Sequence, residues 1–343
     1  MLKTKKILFI CKQRPAQYGA SYGLLNSCRF ICNALHSMGI SAKLVEVIDN
    51  NCIDKELHNY KPSHVFIEAL WVIPEKFDVL IPLYPHVKWH VRLHSNTPFI
   101  SNEGIAMDWI RKYVDLSKKY SNFYLSVNSL TMVNELEKTF NTNIVYSPNI
   151  YQPDKNEVIK DDVSIKENKN EISIASFGAI RPLKNQLIQA MAAIVFANEM
   201  DKKLNFHINY TRIETNGENV HKNLVSLFQG TNHQLIEHDW VLHSDFLKLI
   251  KSMDMGLQIS FSETFNIVAA DFVHQNVPII GSNEIKWLNM MYWANPTDLD
   301  NIVFHMRLAW LGKNINLQRL NKWGLEKYNN DAKFVWKNYL TQI

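Results

Sequence analysis

The chain has 343 residues, of which 46% are hydrophobic and 20% are charged, and its formal net charge is +4. A chain of this length buries large cores and is more typical of two domains than of one. The small positive charge allows an anionic ligand without requiring a nucleic acid, and no apolar run reaches the roughly 18 residues that a membrane span needs. The apolar stretch Ile7 to Ile10 is too short for a signal peptide, so we expect a soluble, cytoplasmic protein.

The first half of the chain alternates apolar strands with helical segments. Lys6 to Cys11 predicts a strand, Tyr22 to Met38 a helix, and Ala42 to Ile48 a second strand, which together make a βαβ opening. Further apolar stretches predict three more strands, at His64 to Glu68, Trp89 to Leu93 and Phe123 to Val127. These elements predict an N-terminal Rossmann-like domain over residues 1–150.

Cysteine and histidine spacing in this half does not indicate a metal site. The cysteines are Cys11, Cys28, Cys32 and Cys52. Cys28 and Cys32 are spaced as on one helix face and not as in a C-x-x-C site, which favours buried or helix-face thiols. His86, His90 and His94 recur every four residues, but the alternation of apolar and polar residues around them predicts a strand. His94 then lies at the carboxyl end of that strand.

The second half repeats the alternation after a polar, charged stretch. Residues 151–170 have the composition of a linker. A strand at Ile172 to Phe177 and a helix at Gln186 to Met200 follow, which predicts a C-terminal Rossmann-like domain over residues 171–315. Residues 316–343 predict a helical segment that packs back on the N-terminal domain. Two such halves joined by a linker predict two domains facing across a cleft.

An acidic motif occupies the turn between a strand and a helix in this second domain. Gly256 to Phe261 predicts a buried strand, Thr264 to Gln275 a helix, and Val277 to Ile280 the next strand. Glu263 therefore lies at a strand's carboxyl end, where open α/β sheets bind ligands. The alternative is that Glu263 is a solvated turn residue.

The predicted helix after Glu263 suits a phosphate ligand. The amides of Phe265, Asn266 and Ile267 would lie at the helix N-terminus, where free N–H groups and the helix dipole bind anions. Asp271 follows Glu263 by eight positions, about 12 Å of helical rise, so that one carboxylate meets a sugar while the other meets a ribose. The alternative for Asp271 is a side chain that simply faces water.

A basic loop follows the first strand of the same domain. Gly178 allows the backbone to approach a ligand, Arg181 can bind phosphate oxygens in a bidentate manner, and Lys184 adds a point charge. Basic loops are more often merely solvated. This one lies at a strand's carboxyl end in the same domain as Glu263, which favours a phosphate site.

The two motifs together resemble the family-four retaining glycosyltransferases of the GT-B fold. The pattern Gly-x-x-Arg-Pro-x-Lys-Asn begins at Gly178, and the pattern Glu-x-Phe-x5-Asp begins at Glu263. The resemblance runs from Ile172 to about Asn295. It implies that Arg181 and Lys184 hold the diphosphate of a nucleotide sugar, that Glu263 contacts the sugar and that Asp271 contacts the ribose. It also implies a cleft-facing role for His94.

The sequence departs from the family pattern at several positions. Asp271 replaces a glutamate, Asn266 replaces a glycine, and Asn276 replaces the glycine after the helix, although asparagine also adopts the left-handed cap conformation. The N-terminal glycine-rich loop is reduced to Tyr18 to Gly23, in which Gly19 is the residue expected beside the donor phosphate. Asp298 and Asp300 mimic a metal-binding Asp-x-Asp motif, but their place before an apolar helix favours helix capping.

The resemblance implies a metal-independent, retaining glycosyltransferase of the hexosyl- or pentosyltransferase class. Its donor would be a nucleotide sugar, expected to be a UDP-sugar, and no cofactor is expected. Two acceptors are compatible with a basic N-terminal side carrying Lys12, Arg14, Arg92 and His94. They are a bacterial surface glycan and a hydroxymethylated base of bacteriophage DNA, so the expected location is the bacterial or phage-infected host cytoplasm. The alternative function is a non-catalytic protein of the same fold that binds a nucleotide or nucleotide sugar, which the departures at Asp271 and Asn266 favour.

Overall fold

The computed structural model describes residues 5–13, 22–154, 170–214 and 216–342. The chain separates into two compact units, one formed by Met1–Asp154 with Tyr328–Ile343 and the other by Lys155–Lys327. Each unit is built on its own parallel sheet. Among the described residues, no helix is both long and apolar enough to cross a membrane.

The first unit alternates strands and helices throughout. Its strands are β1 Lys6–Lys12, β2 Ser41–Val47, β3 His64–Glu68, β4 Lys88–Leu93, β5 Phe123–Val127 and β6 Val145–Tyr146. Its helices are α1 Tyr22–Ser37, α2 Ile53–Tyr60, α3 Phe77–Leu83, α4 Thr97–Ile100, α5 Ala106–Lys119 and α6 Leu130–Phe140. The strand order in the described sheet is β2-β1-β3-β4-β5-β6, with parallel pairs throughout.

Helices cover both faces of this sheet, because its strands are apolar on both sides. One core centres on Trp89, Phe77 and Phe123. The other holds Phe9 and the cysteine thiols of α1 and β1, and Trp336 from the C-terminal helix packs into it. Cys11, Cys28 and Cys32 are buried, as predicted for core thiols.

The second unit has the same layered construction. Its strands are β7 Glu171–Ala175, β8 Lys203–Asn209, β9 Gln234–His238, β10 Met255–Gln258 and β11 Ile279–Gly281. Its helices are α7 Gln186–Glu199, α8 Gly217–Phe228, α9 His243–Lys251, α10 Ile267–His274 and α11 Leu299–Lys313, and α12 Arg319–Gln342 begins here and ends with residues of the first unit. The strand order is β11-β10-β7-β8-β9, all parallel, so β7 and β10 are neighbours.

Most predicted elements are confirmed, and one boundary that affects the site is wrong. The helix predicted from Thr264 begins only at Ile267, because Asn266 takes the left-handed conformation at φ 63°. A rise of 12 Å along a continuous helix therefore does not describe the path from Glu263 to Asp271. Asn276 adopts the left-handed conformation predicted for it, at φ 57°. The Asp298 side chain caps α11 by accepting the Asn301 N–H at 2.9 Å, which confirms the capping interpretation.

Candidate active site

A buried ion pair joins the two predicted motifs of the second unit. Lys184 follows β7, Glu263 follows β10, and the Nζ of Lys184 lies 2.6 Å from Oε1 of Glu263. The side chains keep 12% and 8% of their exposure, respectively. Because β7 and β10 are parallel neighbours, both residues lie at the carboxyl edge of the sheet, where ligands of open α/β sheets bind.

Local backbone conformation explains how the basic loop reaches Glu263. Gly178 has φ +115°, which a residue with a Cβ adopts only with strain, and its N–H donates to Oδ1 of Asn209 at 2.9 Å. Asn185 takes the left-handed conformation after the short turn Pro182–Lys184. Its side-chain amide donates to the carbonyls of Ile259 at 3.2 Å and Pro296 at 2.8 Å, so the loop is tied to the segment that follows β10.

Gln258 links the two motifs from beneath. Its side chain is buried at the end of β10, and its Nε2 donates to the carbonyl of Phe177 at 2.7 Å. Its Oε1 accepts from the Asn266 side-chain amide at 2.8 Å and lies 3.5 Å from Nζ of Lys184. One amide side chain therefore fixes the position of both loops.

The electrostatics of the pair keep the carboxylate charged. Burial would raise the pKa of Glu263, but the charges of Lys184 and Arg181 outweigh it and hold the pKa below its ordinary value. Burial lowers the pKa of Lys184, and the Glu263 carboxylate opposes that shift. Glu263 is therefore ionised at neutral pH and compensates the charge of Lys184.

Arg181 belongs to a second charged cluster at the same edge. Its Nη1 lies 2.6 Å from Oε2 of Glu214, and Nη2 of Arg212 lies 2.6 Å from Oε1 of the same carboxylate. Burial would raise the pKa of Glu214, but the two guanidinium groups lower it below its ordinary value. Arg212 in turn lies over the indole of Trp240, 5.3 Å from the ring centroid.

The start of α10 retains donors for an anion. The Asn266 side chain accepts the Ala269 N–H at 2.8 Å, and the Asn266 carbonyl accepts that of Ala270 at 3.3 Å. Within the part of the chain that the structure describes, no hydrogen bond occupies the amides of Ile267 and Val268. Phe265 is buried and its carbonyl accepts the indole N–H of Trp287 at 2.7 Å, so this segment is anchored to the core.

Asp271 lies on α10 but is engaged inside the unit. Its Oδ1 lies 2.8 Å from Nε2 of His243, the first residue of α9, and the side chains of Asp271 and His243 keep 1% and 4% of their exposure. The structure thus places the second predicted acid against a histidine. Whether it meets a ribose stays a prediction.

His94 lies in the first unit, two residues after Arg92 of β4. Its Nε2 contacts Oε2 of Glu68, the last residue of β3, and lies 3.2 Å from Nη1 of Arg92. Arg92 and Glu68 form a fully buried ion pair at 2.9 Å. The expectation that Arg92 adds to a basic surface is therefore wrong, because its guanidinium is fully buried in the pair with Glu68.

The structure brings together Lys184, Glu263, Gly178 and the start of α10, and it places Arg181 close enough to influence Glu263. Gly19 and Arg14 lie outside the described residues. The sequence did not predict a role for several polar or aromatic residues that end a strand or follow one, namely Glu68, Gln258, Arg212, Glu214, Trp240 and His243. Each lies within a few residues of a strand's carboxyl end, which is the signal that could have found them. Among the described residues, no group of three or more His, Cys, Asp or Glu is placed to hold a metal ion.

Two α/β units, each built on a parallel sheet, have the architecture of the GT-B fold that the sequence predicted, and solved structures of that fold match the chain. No protein-family model matches the sequence, and no curated protein matches it either.

Solved structures similar to almost the whole chain include trehalose-6-phosphate synthases and HepE. The trehalose-6-phosphate synthase OtsA has a TM-score of 0.73 at 13% identity, with 99% of each chain covered. A trehalose-6-phosphate synthase studied for glycosyltransfer with retention has a TM-score of 0.68 at 12% identity, again over 99% of each chain. HepE of Anabaena, solved with UDP and glucose, has a TM-score of 0.66 at 11% identity, covering 99% of this chain and 100% of its own. At these identities the likeness establishes the fold.

Proposed function

We propose that this protein is a retaining, metal-independent glycosyltransferase that moves a sugar from a nucleoside diphosphate sugar to an acceptor hydroxyl. The single observation that carries the proposal is the Lys184–Glu263 pair, which lies at the sheet's carboxyl edge beside Arg181 and the start of α10. Cations, helix amides and a carboxylate are the groups needed to hold a diphosphate and the hydroxyls of a sugar.

In this reading Arg181, Lys184 and the amides of Ile267 and Val268 stabilise the negative charge that develops on the leaving diphosphate. Glu263 accepts hydrogen bonds from the donor sugar. The nucleoside diphosphate leaves the anomeric carbon and the acceptor hydroxyl bonds to that carbon on the same face, and the departing phosphate takes the acceptor proton. UDP is the nucleotide we propose first, because HepE, which shares the fold, is solved with UDP and glucose.

A screen of nucleotide sugars by thermal shift and mass spectrometry tests this proposal. We expect one donor to raise the melting temperature and to be consumed when acceptors are present, and we expect Lys184→Ala and Glu263→Ala to lose one or both responses. Lys222→Ala is the matched control, because Lys222 is an exposed lysine on α8 and has no part in the contacts described for the site. If neither site variant differs from the control, the assigned site is wrong.

The acceptor is proposed as one of two classes, a surface glycan or a hydroxymethylated base in DNA. Duplex binding through phosphate contacts weakens steeply with salt. Binding of hydroxymethylated duplex that does not change between low and moderate salt would count against DNA, and glycosylated oligosaccharide detected by mass spectrometry would favour a glycan.

A second candidate function is non-catalytic binding of a nucleotide or nucleotide sugar. The contact of Asp271 with His243 favours it, because the carboxylate proposed for the ribose already has a partner in the chain. Binding of a nucleotide sugar without transfer or hydrolysis, over the whole acceptor panel, would support this alternative.

A further inference from the structure

A buried charged cluster lies at the carboxyl edge of the first unit's sheet. Glu68 ends β3, Arg92 lies opposite it on β4, and their side chains pair at 2.9 Å with no exposure to solvent. The remaining donors of Arg92 are also engaged, since Nε donates to the carbonyl of Ser147 at 2.9 Å and Nη2 donates to Oδ1 of Asn149 at 2.6 Å. Both charged groups are therefore fixed in position.

Stability alone is a weak reason for such a pair. Removing each charge from water costs on the order of several kcal/mol. Well-packed apolar residues in place of a buried ion pair often stabilise a protein as well or better. On the same face of the sheet, Phe66 and His90 are fully buried two residues before Glu68 and Arg92, and buried Ser126 of β5 lies opposite Arg92. A functional role at the carboxyl edge of the sheet would explain why a charged pair is buried there.

His94 contacts both members of the pair and is the side chain through which such a role would act. Of the three residues, His94 alone keeps exposure to solvent, 16% of its side chain. Its Nε2 faces both Oε2 of Glu68 and Nη1 of Arg92. A carboxylate only accepts and a guanidinium only donates, so the close contact with Glu68 requires a hydrogen on Nε2.

The charge state of the ring agrees with that geometry. Burial and the charge of Arg92 lower the pKa of His94, and Glu68 only partly opposes them. Burial would raise the pKa of Glu68, but Arg92 and His94 hold it below its ordinary value. The thiols of Cys28 and Cys32 lie near Glu68, and burial raises their pKa values, so they stay neutral. Tyr146 and Tyr328, beside Arg92, also have raised pKa values.

We propose that Glu68 is a positioning residue for His94. By accepting the Nε2 hydrogen, the buried carboxylate holds the neutral ring in one tautomer, with the lone pair on Nδ1, and in one orientation in which the ring meets the substrate. Arg92 keeps Glu68 ionised and in place. The functional part of this inference rests on the proposed glycosyltransferase function, whereas the tautomer does not.

The tautomer is measured directly on the unmodified protein. With ring-¹⁵N histidine, the signal that disappears in His94→Gln identifies His94 among the 13 histidines. We expect Nε2 to appear protonated and Nδ1 unprotonated at neutral pH. A ring protonated on Nδ1, or on both nitrogens, would overturn the proposal whatever the enzyme's activity.

A pair of variants separates positioning from charge balance. Glu68→Gln alone leaves Arg92 without its counter-ion, so lower stability is expected from either role. The double variant Glu68→Gln with Arg92→Gln removes both charges. If Glu68 served only to neutralise Arg92, the double variant would recover the wild-type His94 signals and turnover together with stability. We expect stability to recover while the ring exchanges between tautomers.

Turnover provides the second readout. Carboxylates that orient a metal-ligating histidine typically contribute about 10- to 100-fold to function, and we expect a loss of comparable size in kcat in the double variant. Adding His94→Gln should cause little further loss, because the two changes remove one shared function. Losses that multiply would contradict the proposed coupling. If the wild-type protein transfers no sugar while the ring is in the expected tautomer, the proposed function fails and the positioning geometry stands.

Discussion

Replacing Glu263 by Gln should weaken the fold and, at the same time, preserve or strengthen binding of the bare nucleotide. The Lys184 ammonium lies 2.6 Å from the Glu263 carboxylate, and both side chains are mostly buried. Removing one partner of a buried pair costs about 3–5 kcal/mol, and the remaining exposure places this pair near the lower value. For a unit of this size, a loss of about 3 kcal/mol lowers the melting temperature by roughly 6–12 °C.

Nucleotide binding is expected to respond in the opposite direction. Glu263 is paired with the ammonium that a diphosphate needs, so the carboxylate competes with the phosphates for Lys184. Glu263→Gln removes that competitor, and UDP affinity should stay equal or rise. Lys184→Met removes a charge-assisted hydrogen bond worth about 1.5–3 kcal/mol, so its UDP affinity should fall by roughly 10- to 150-fold.

Calorimetric titration with UDP, together with melting curves with and without UDP, checks both signs. Lys222→Met is the control for loss of a lysine charge outside the site. The reasoning is refuted if Glu263→Gln and Lys184→Met weaken UDP binding to the same extent, or if Glu263→Gln melts at the wild-type temperature. Transfer from a whole nucleotide sugar should fall in both variants, because Glu263 is the proposed contact to the sugar.

Three further predictions concern the surrounding structure. Asn266→Ala should lower the free energy of unfolding, measured by urea titration, by about 1–3 kcal/mol, because it removes the cap on the Ala269 N–H and leaves alanine at φ 63°. Asn276 is also left-handed, and the control Asn276→Gly should change the free energy of unfolding by less than about 1 kcal/mol. Gly178→Ala should cost about 1–3 kcal/mol and slow transfer, since φ is +115°, and equal stability with full turnover would contradict a need for glycine there. Burial, reinforced by two nearby lysines, lowers the pKa of His64 to about 3. In this pH range His64 therefore binds a proton in the unfolded chain but not in the folded one, so the free energy of unfolding should fall by about 3 kcal/mol between pH 6.5 and pH 4. His64→Gln should reduce this dependence on pH, and an unchanged dependence would show that other groups cause it.

The sheets were predictable because their strands are nearly continuous apolar runs. The strands at His64–Glu68 and Phe123–Val127 match the predicted bounds residue for residue. A strand buried on both faces needs apolar residues on both, so composition alone marks it. The start of α10 was not predictable in this way, since the choice between helix and left-handed cap at Asn266 depends on its bonds to Gln258 and Ala269.

The candidate site was predictable only where one motif carried its residues. Lys184 and Glu263 were found because each lies in a recognisable local pattern. Glu214 and His243 follow β8 and β9, which lie on the β7 side of the sheet, and spacing along the chain does not reveal that strand order. Glu68 gave a weaker signal that could have been read, namely a charged residue that ends an otherwise apolar strand.

Both side chains proposed to bind the diphosphate, Lys184 and Arg181, are paired with carboxylates, and this affects the selectivity between a nucleotide sugar and the bare nucleotide. Lys184 is neutralised by Glu263, and Arg181 shares Glu214 with Arg212, so these paired side chains present little net positive charge to a diphosphate. Phosphates gain the full attraction of Lys184 only if Glu263 turns to another donor, and sugar hydroxyls are donors at the proposed position. Release of Lys184 and recognition of the sugar would then be one event. On that basis the wild-type protein should prefer a nucleotide sugar to the bare nucleotide, and Glu263→Gln should lose this preference by binding both equally well. A preference that survives the substitution would show that other residues recognise the sugar.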